Sequence, residues 1–151
     1  MTTRHFASYT AARTHLRSLL DIAHTGRVTT LTREHETFAV VDADVLRRQL
    51  LRLQPSDAAV VADGGNWTAL LPGLPVHGDG DTFDDALDDL IDALRDYAED
   101  WSDHLLDAPN HRDNWPLVQL VELSSDEQLR EWILGTDSSP RITAPLAAGP
   151  S

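Results

Sequence analysis

The chain contains no cysteine and no lysine among its 151 residues. Without cysteine it has no disulfide framework, no thiol nucleophile and no thiolate metal site. No apolar run approaches the ~20 residues that a membrane-spanning helix needs, and the first residues lack the basic–apolar pattern of a signal peptide. A reduced, cytoplasmic setting with no membrane partner is the expectation. Neither G-x-x-x-x-G-K-S/T nor G-x-G-x-x-G occurs, which leaves a nucleotide site unsupported. The seven histidines show no H-E-x-x-H or related ligand spacing, and Ser124 and Ser125 lack a G-x-S-x-G setting. No cofactor, metal ion or catalytic residue is therefore expected.

Positive charge is also scarce. Twelve arginines face 25 acidic residues, for a formal net charge of -13. Taken whole, that argues against nucleic acid, because phosphate binding needs clustered positive charge. The charge is unevenly spread, however. Residues 1–53 hold 8 arginines against 5 acids, and residues 54–151 hold 4 against 20. The first stretch is net positive by 3 and the second net negative by 16. Such asymmetry suggests two modules with different partners.

In the first stretch, Arg4–Tyr9 reads as a short strand and Thr10 as the N-cap of a helix running to about residue 25. Ala12, Leu16, Leu19, Leu20 and Ala23 form its apolar stripe, and Gly26 stands just past its end. Residues 28–33 and 37–41 are rich in β-branched residues and read as a hairpin, and Asp42 is placed to cap a helix through Leu53. Leu46, Leu50 and Leu53 mark one face of that helix. Gln54-Pro55-Ser56 makes a plausible boundary. About fifty residues bury little core alone, so pairing with a second copy is expected. Arg13, His15 and Arg17 share the polar side of the first helix, and Arg33 ends the first hairpin strand. These arginines are either a solvated face or a phosphate-contacting surface doubled across a dimer axis.

The segments SYTAARTHLRSLL and TLTREHETFAVVDADVL resemble the Phd/YefM antitoxins over about residues 4–53. The resemblance rests on the S-Y-S/T-x-A-R helix start and the T-R-x-x-x-x-x-A-V-L hairpin. It implies a dimer that represses its own operon by binding operator DNA, with Arg13 and Arg33 as contacts and Arg4 beside them; Arg17, spaced four residues from Arg13, is a further candidate. Family members often carry Gly in the hairpin turn, where this chain has Glu34-His35-Glu36. Two acids there weaken a phosphate contact by Arg33, and a turn needing positive φ is harder without Gly.

In the second stretch, residues 58–62 and 67–71 read as a hairpin around Asp63-Gly64-Gly65-Asn66. HGDGD reads as a loop leading to Thr82, which caps a long helix. Phe83, Leu87, Leu90, Ile91, Leu94, Tyr97, Ala98 and Trp101 give that helix its buried face. Nine acids from Asp84 to Asp103, relieved only by Arg95, fill the rest. Residues 107–114 read as a loop, Trp115–Leu123 as another strand, and Ser124 or Ser125 as the cap of a short helix ending at Gly135. His104 and His111 read as ordinary surface residues. A Pro-rich tail from 136 is expected to be disordered.

DGGNWTALLPGLP followed by GDTFDDALDDLIDAL resembles the HicB-like antitoxin module over about residues 57–101. Val76-His77 stands where Gly-Cys commonly follows the L-P bend. The resemblance implies a degenerate RNase H-like fold that masks a toxin, often a basic ribonuclease of the RelE, HicA or a related class. Trp67, Asp84, Asp88, Asp92 and Glu99 are the candidate toxin contacts. An acidic helix can also be a plain solubility face, or a steering surface for a cationic partner. A metal site needs ligands converging from several elements, which acids strung along one stripe do not provide.

The fold expected is α+β: a strand–helix–hairpin–helix module (1–54), a sheet with helices on one side (55–135), and a tail. The function expected is that of an antitoxin, a homodimer or larger, binding a toxin and operator DNA. The alternative is a dimeric interaction or regulatory module without DNA binding. A carboxylate-pair hydrolase would require acids that converge inward.

Overall fold

A computed structural model describes residues 4–6 and 8–136, so the expected tail falls outside the described residues from 137 onward. The fold is α+β, with two three-stranded sheets. The chain divides into two compact units, Met1–Gln49 and Leu50–Ser151.

In the first unit, β1 (Arg4–Phe6) runs parallel to β2 (Thr29–Arg33), and β2 pairs antiparallel with β3 (Glu36–Val40). The parallel crossover is helical, but as two helices rather than one: α1 (Tyr9–Thr14) and α2 (Leu16–His24). The break falls at His15, beside Thr14, whose hydroxyl bonds back to Thr10 O and so competes with the regular ladder. The first cap is Ser8, whose Oγ accepts Ala11 N–H, while Thr10 lies inside α1. Leu19 packs with Ala11, Leu31 and Val40 as the core of this unit. Leu16 and Leu20, expected in the apolar stripe, are 55% and 52% exposed. The opposite sheet face is polar, with His5 bonded to Thr30 and Thr32 to Thr37.

The β2–β3 turn holds two residues, and Glu34 takes φ 58 without the Gly that such a conformation favours. Asp42 caps α3 (Ala43–Leu53), its Oδ1 accepting the N–H groups of Asp44 and Val45. These bonds, Val45's foremost, outweigh desolvation and, with His24 3.6 Å away, hold the Asp42 carboxyl below its ordinary pKa. Leu50 is buried on α3, whereas Leu53 is exposed.

The second unit begins within α3. Its sheet is a meander of β4 (Ala59–Asp63), β5 (Asn66–Leu70) and β6 (His77–Gly80). The expected loop HGDGD is thus the third strand. Its glycines are there for a neighbour: a Cβ on Gly78 would strike the backbone of Ala86 and Leu90, and one on Gly80 the start of the next helix. That helix is α4 (Phe83–Asp100), capped by Thr82 Oγ1 accepting Asp85 N–H. Its inner face, Ala86 to Ala98, is buried as the periodicity predicts, although Phe83 is only half-buried.

A π-helical turn, Trp101–Leu105, extends α4, and a 3-10 turn, Arg112–Asn114, leads into α5 (Trp115–Leu123). This apolar run was expected to be a strand. Pro116 in its first turn and burial of Leu117, Val118, Leu120 and Val121 follow helical spacing instead. Short apolar runs do not separate the two cases by periodicity. Ser125 then opens α6 (Asp126–Leu134) with a full capping box to Gln128, closed at Gly135.

Candidate functional site

The four arginines expected to contact phosphate sit on four elements of the first unit. Arg13 lies on α1, Arg17 on α2 beyond the His15 break, and Arg33 at the end of β2, all exposed. Arg13 and Arg17 therefore do not share one helix. Among the described residues none of the three makes an ion pair. Arg33 stands opposite Glu36 in the strand register and precedes Glu34. Arg4 stands in β1, paired with Thr29. Exposed, unpaired guanidiniums can donate to phosphate oxygens, and the two glutamates beside Arg33 lower the local potential for doing so.

The acidic helix of the second unit has two unlike flanks. On one, Asp84 and Asp88 accept from Arg130 of α6 at 2.9 and 2.6 Å. Burial works against the Arg130 charge, but the hydrogen bonds it donates to Asp88 and Asp84 overcome it and raise its pKa. Arg95 on the same flank reaches Asp126 at 2.8 Å and donates to the carbonyls of Val121 and Ser124, capping the end of α5. Two of the four acids expected to meet a partner are thus already paired with an arginine of the same chain. Asp92 and Glu99 are exposed and make no ion pair among the described residues. Trp67, half-buried in β5, packs edge-on against Phe83 with ring centroids 5.6 Å apart. Its indole is therefore part of the sheet–helix packing.

The other flank meets β6 through Asp89, which accepts Asp79 N–H at 2.9 Å. Below it lies an open groove of about 600 Å³, lined by Val76, Ala93, Asp96, Tyr97, Asp100 and Leu105. His111 also reaches this groove and is no ordinary surface residue. Its Nδ1 meets Tyr97 Oη at 2.9 Å, Asn114 donates to the same hydroxyl at 2.7 Å, and Trp101 Nε1 donates to His111 O. No group of three or more His, Asp or Glu is placed to hold a metal ion among the described residues, nor is any helix there long and apolar enough to cross a membrane.

A family described as PHD-like, antitoxin of toxin-antitoxin, RelE/RelB, TA system, matches residues 2–135. The chain belongs to this antitoxin family. A crystal structure described as the antitoxin part of a candidate toxin/antitoxin system from Syntrophomonas wolfei subsp. wolfei shares its fold, with a TM-score of 0.69 and 18% identity over 87% of this chain and 96% of that one. No curated protein matches the sequence. An antitoxin has a toxin as its partner, so the chemistry to be explained is recognition. The pairing of Arg130 with Asp84 and Asp88 escapes sequence reading because the partners lie 46 and 42 residues apart. The groove escapes it because its walls come from a loop, a helix and a π-helical turn.

Proposed function

We propose that the antitoxin divides its work between its two units. The first, up to about residue 54, is a Phd/YefM-like module that dimerises and represses its own operon. Arg13 and Arg33 contact operator phosphates, with Arg17 and Arg4 beside them. The second, about 55–135, is a HicB-like module that binds and neutralises a basic ribonuclease toxin in the cytoplasm, with Asp92 and Glu99 among its contacts. The supporting observation is the charge division: three exposed arginines on one unit that make no ion pair among the described residues, and an acid-rich helix on the other. The full chain should bind a fragment of its own promoter with an affinity that falls steeply as salt rises. Arg13→Ala with Arg33→Ala should remove most of that binding. Binding that is absent, or independent of salt, sinks the DNA-contact part of this reading.

One observation favours a second reading, in which the first unit serves dimerisation alone. Arg33 faces Glu36 across the hairpin and follows directly into Glu34. Glu34→Gln with Glu36→Gln separates the readings. If the glutamates only temper a phosphate contact, the double variant binds the promoter more tightly; if Arg33 serves the fold, it does not.

A further inference from the structure

The two flanks of α4 differ in what occupies them. Arg130 and Arg95, which the protein itself supplies, close the flank carrying Asp84 and Asp88. On the other flank Asp96 and Asp100 stand one turn apart and exposed, and neither makes an ion pair among the described residues. Beneath them the groove is walled mainly by Val76, Ala93, Tyr97 and Leu105, with His77 and His111 also in its lining. Apolar walls under two free carboxylates suit one chemistry, a long aliphatic stem ending in a cation. The walls are also held in place. Tyr97 is buried with its hydroxyl fixed by Asn114 and His111, and Leu105 ends a π-helical turn, a geometry often kept at functional sites.

We propose that this groove is the anchor point for the toxin: a basic segment of the toxin seats an arginine or lysine side chain there, its stem against Tyr97 and Leu105 and its head between Asp96 and Asp100. This deepens, and rests on, the toxin-binding reading of the second unit. It moves the main contact from the flank of Asp84 and Asp88 to the opposite side of the same helix. An anchor of this kind, desolvated at its stem and charge-paired at its head, is what concentrates binding energy at protein interfaces.

The test uses the full-length antitoxin and, as probe, the protein encoded by the adjacent open reading frame, titrated by calorimetry. Asp96→Asn with Asp100→Asn should weaken binding roughly 10- to 100-fold. Glu122→Gln with Glu131→Gln removes the same charge from the same unit at two exposed positions outside the proposed contacts, and should change it less than about threefold. Ala93→Leu, which fills the groove without altering charge, should also weaken binding, and circular dichroism confirms that each variant is folded. Equal losses from both charge pairs, or none from Asp96 and Asp100, overturn the groove while leaving toxin binding standing. No binding by the unmodified chain removes both readings. Amide shifts at Ala93, Tyr97 and Leu105 in the antitoxin alone provide a further check. If they change on deletion of residues 137–151 or on dilution, the groove already holds the chain's own tail or a second copy, and the proposal falls.

Discussion

Gly78 lies where α4 crosses β6, and the backbone of Ala86 and Leu90 occupies the space that a Cβ would need. Neither backbone is the end of a flexible side chain, so the layer must separate. Gly78→Ala should therefore cost at least about 2 kcal/mol in urea unfolding, far beyond the usual strand preference of Ala over Gly. Arg130 is a contrasting residue. Its two carboxylate partners are mostly solvent-exposed, and exposed ion pairs contribute little after screening. Arg130→Ala should lower stability by no more than about 1 kcal/mol at moderate salt, measured the same way. Asp42 carries a pH dependence. Its carboxyl is held below the ordinary aspartate value of 3.8, so the folded state binds a proton less readily than the unfolded chain does. The stabilisation is present above that value and is lost as pH falls through the folded pKa. In Asp42→Asn, which keeps an acceptor for Asp44 and Val45 but does not titrate, the stability gap to the unmodified chain should shrink as pH falls from 5 to 2. A gap that stays constant would show that the cap does not depend on charge.

At the level of elements, the ends were more legible than the middles. Ser125, one of the two serines expected as its cap, and Gly135 bound α6 as the sequence predicts, because caps are local chemistry. Ser125→Ala should accordingly destabilise the second unit by about 1 kcal/mol in thermal or urea unfolding. The long helix α4 was equally plain from its 3.6-residue period, the first hairpin from its β-branched runs and the second from its Asp63-Gly64-Gly65-Asn66 turn. β6 and α5 were misread for opposite reasons. HGDG carries no apolar alternation, since its two glycines exist to admit a helix that lies elsewhere in sequence. WPLVQLVEL is apolar nearly all round, and such a run adopts whichever structure its surroundings bury. The functional residues divide the same way. The exposure of Arg13, Arg17 and Arg33 could be read from polar spacing, while the engagement of Asp84 and Asp88 needed α6 in place.

At the scale of the whole molecule, the two units are unequally supplied with core. Up to Gln49 the buried side chains among the described residues are Leu19, Ala23 and Thr29, whereas the remaining buried apolar residues belong to the second unit. The first unit also leaves Leu16, Leu20 and Phe38 substantially exposed. So small a core is marginal alone, and the proposed dimer would complete it with a second copy. The consequence can be measured because all four tryptophans, Trp67, Trp101, Trp115 and Trp132, lie in the second unit. Tryptophan fluorescence thus reports that unit, while far-ultraviolet dichroism reports both. In urea the dichroism should begin to fall before the fluorescence changes if the unit with the smaller core unfolds first. If dimerisation supports the first unit, only the early phase should move to higher urea as protein concentration is raised. Leu16→Ser with Leu20→Ser should then abolish that concentration dependence and leave the fluorescence transition in place. Coincident curves, or an early phase indifferent to concentration, would mean that the first unit is stable without a second copy. The dimeric reading of operator binding would then lose its physical basis.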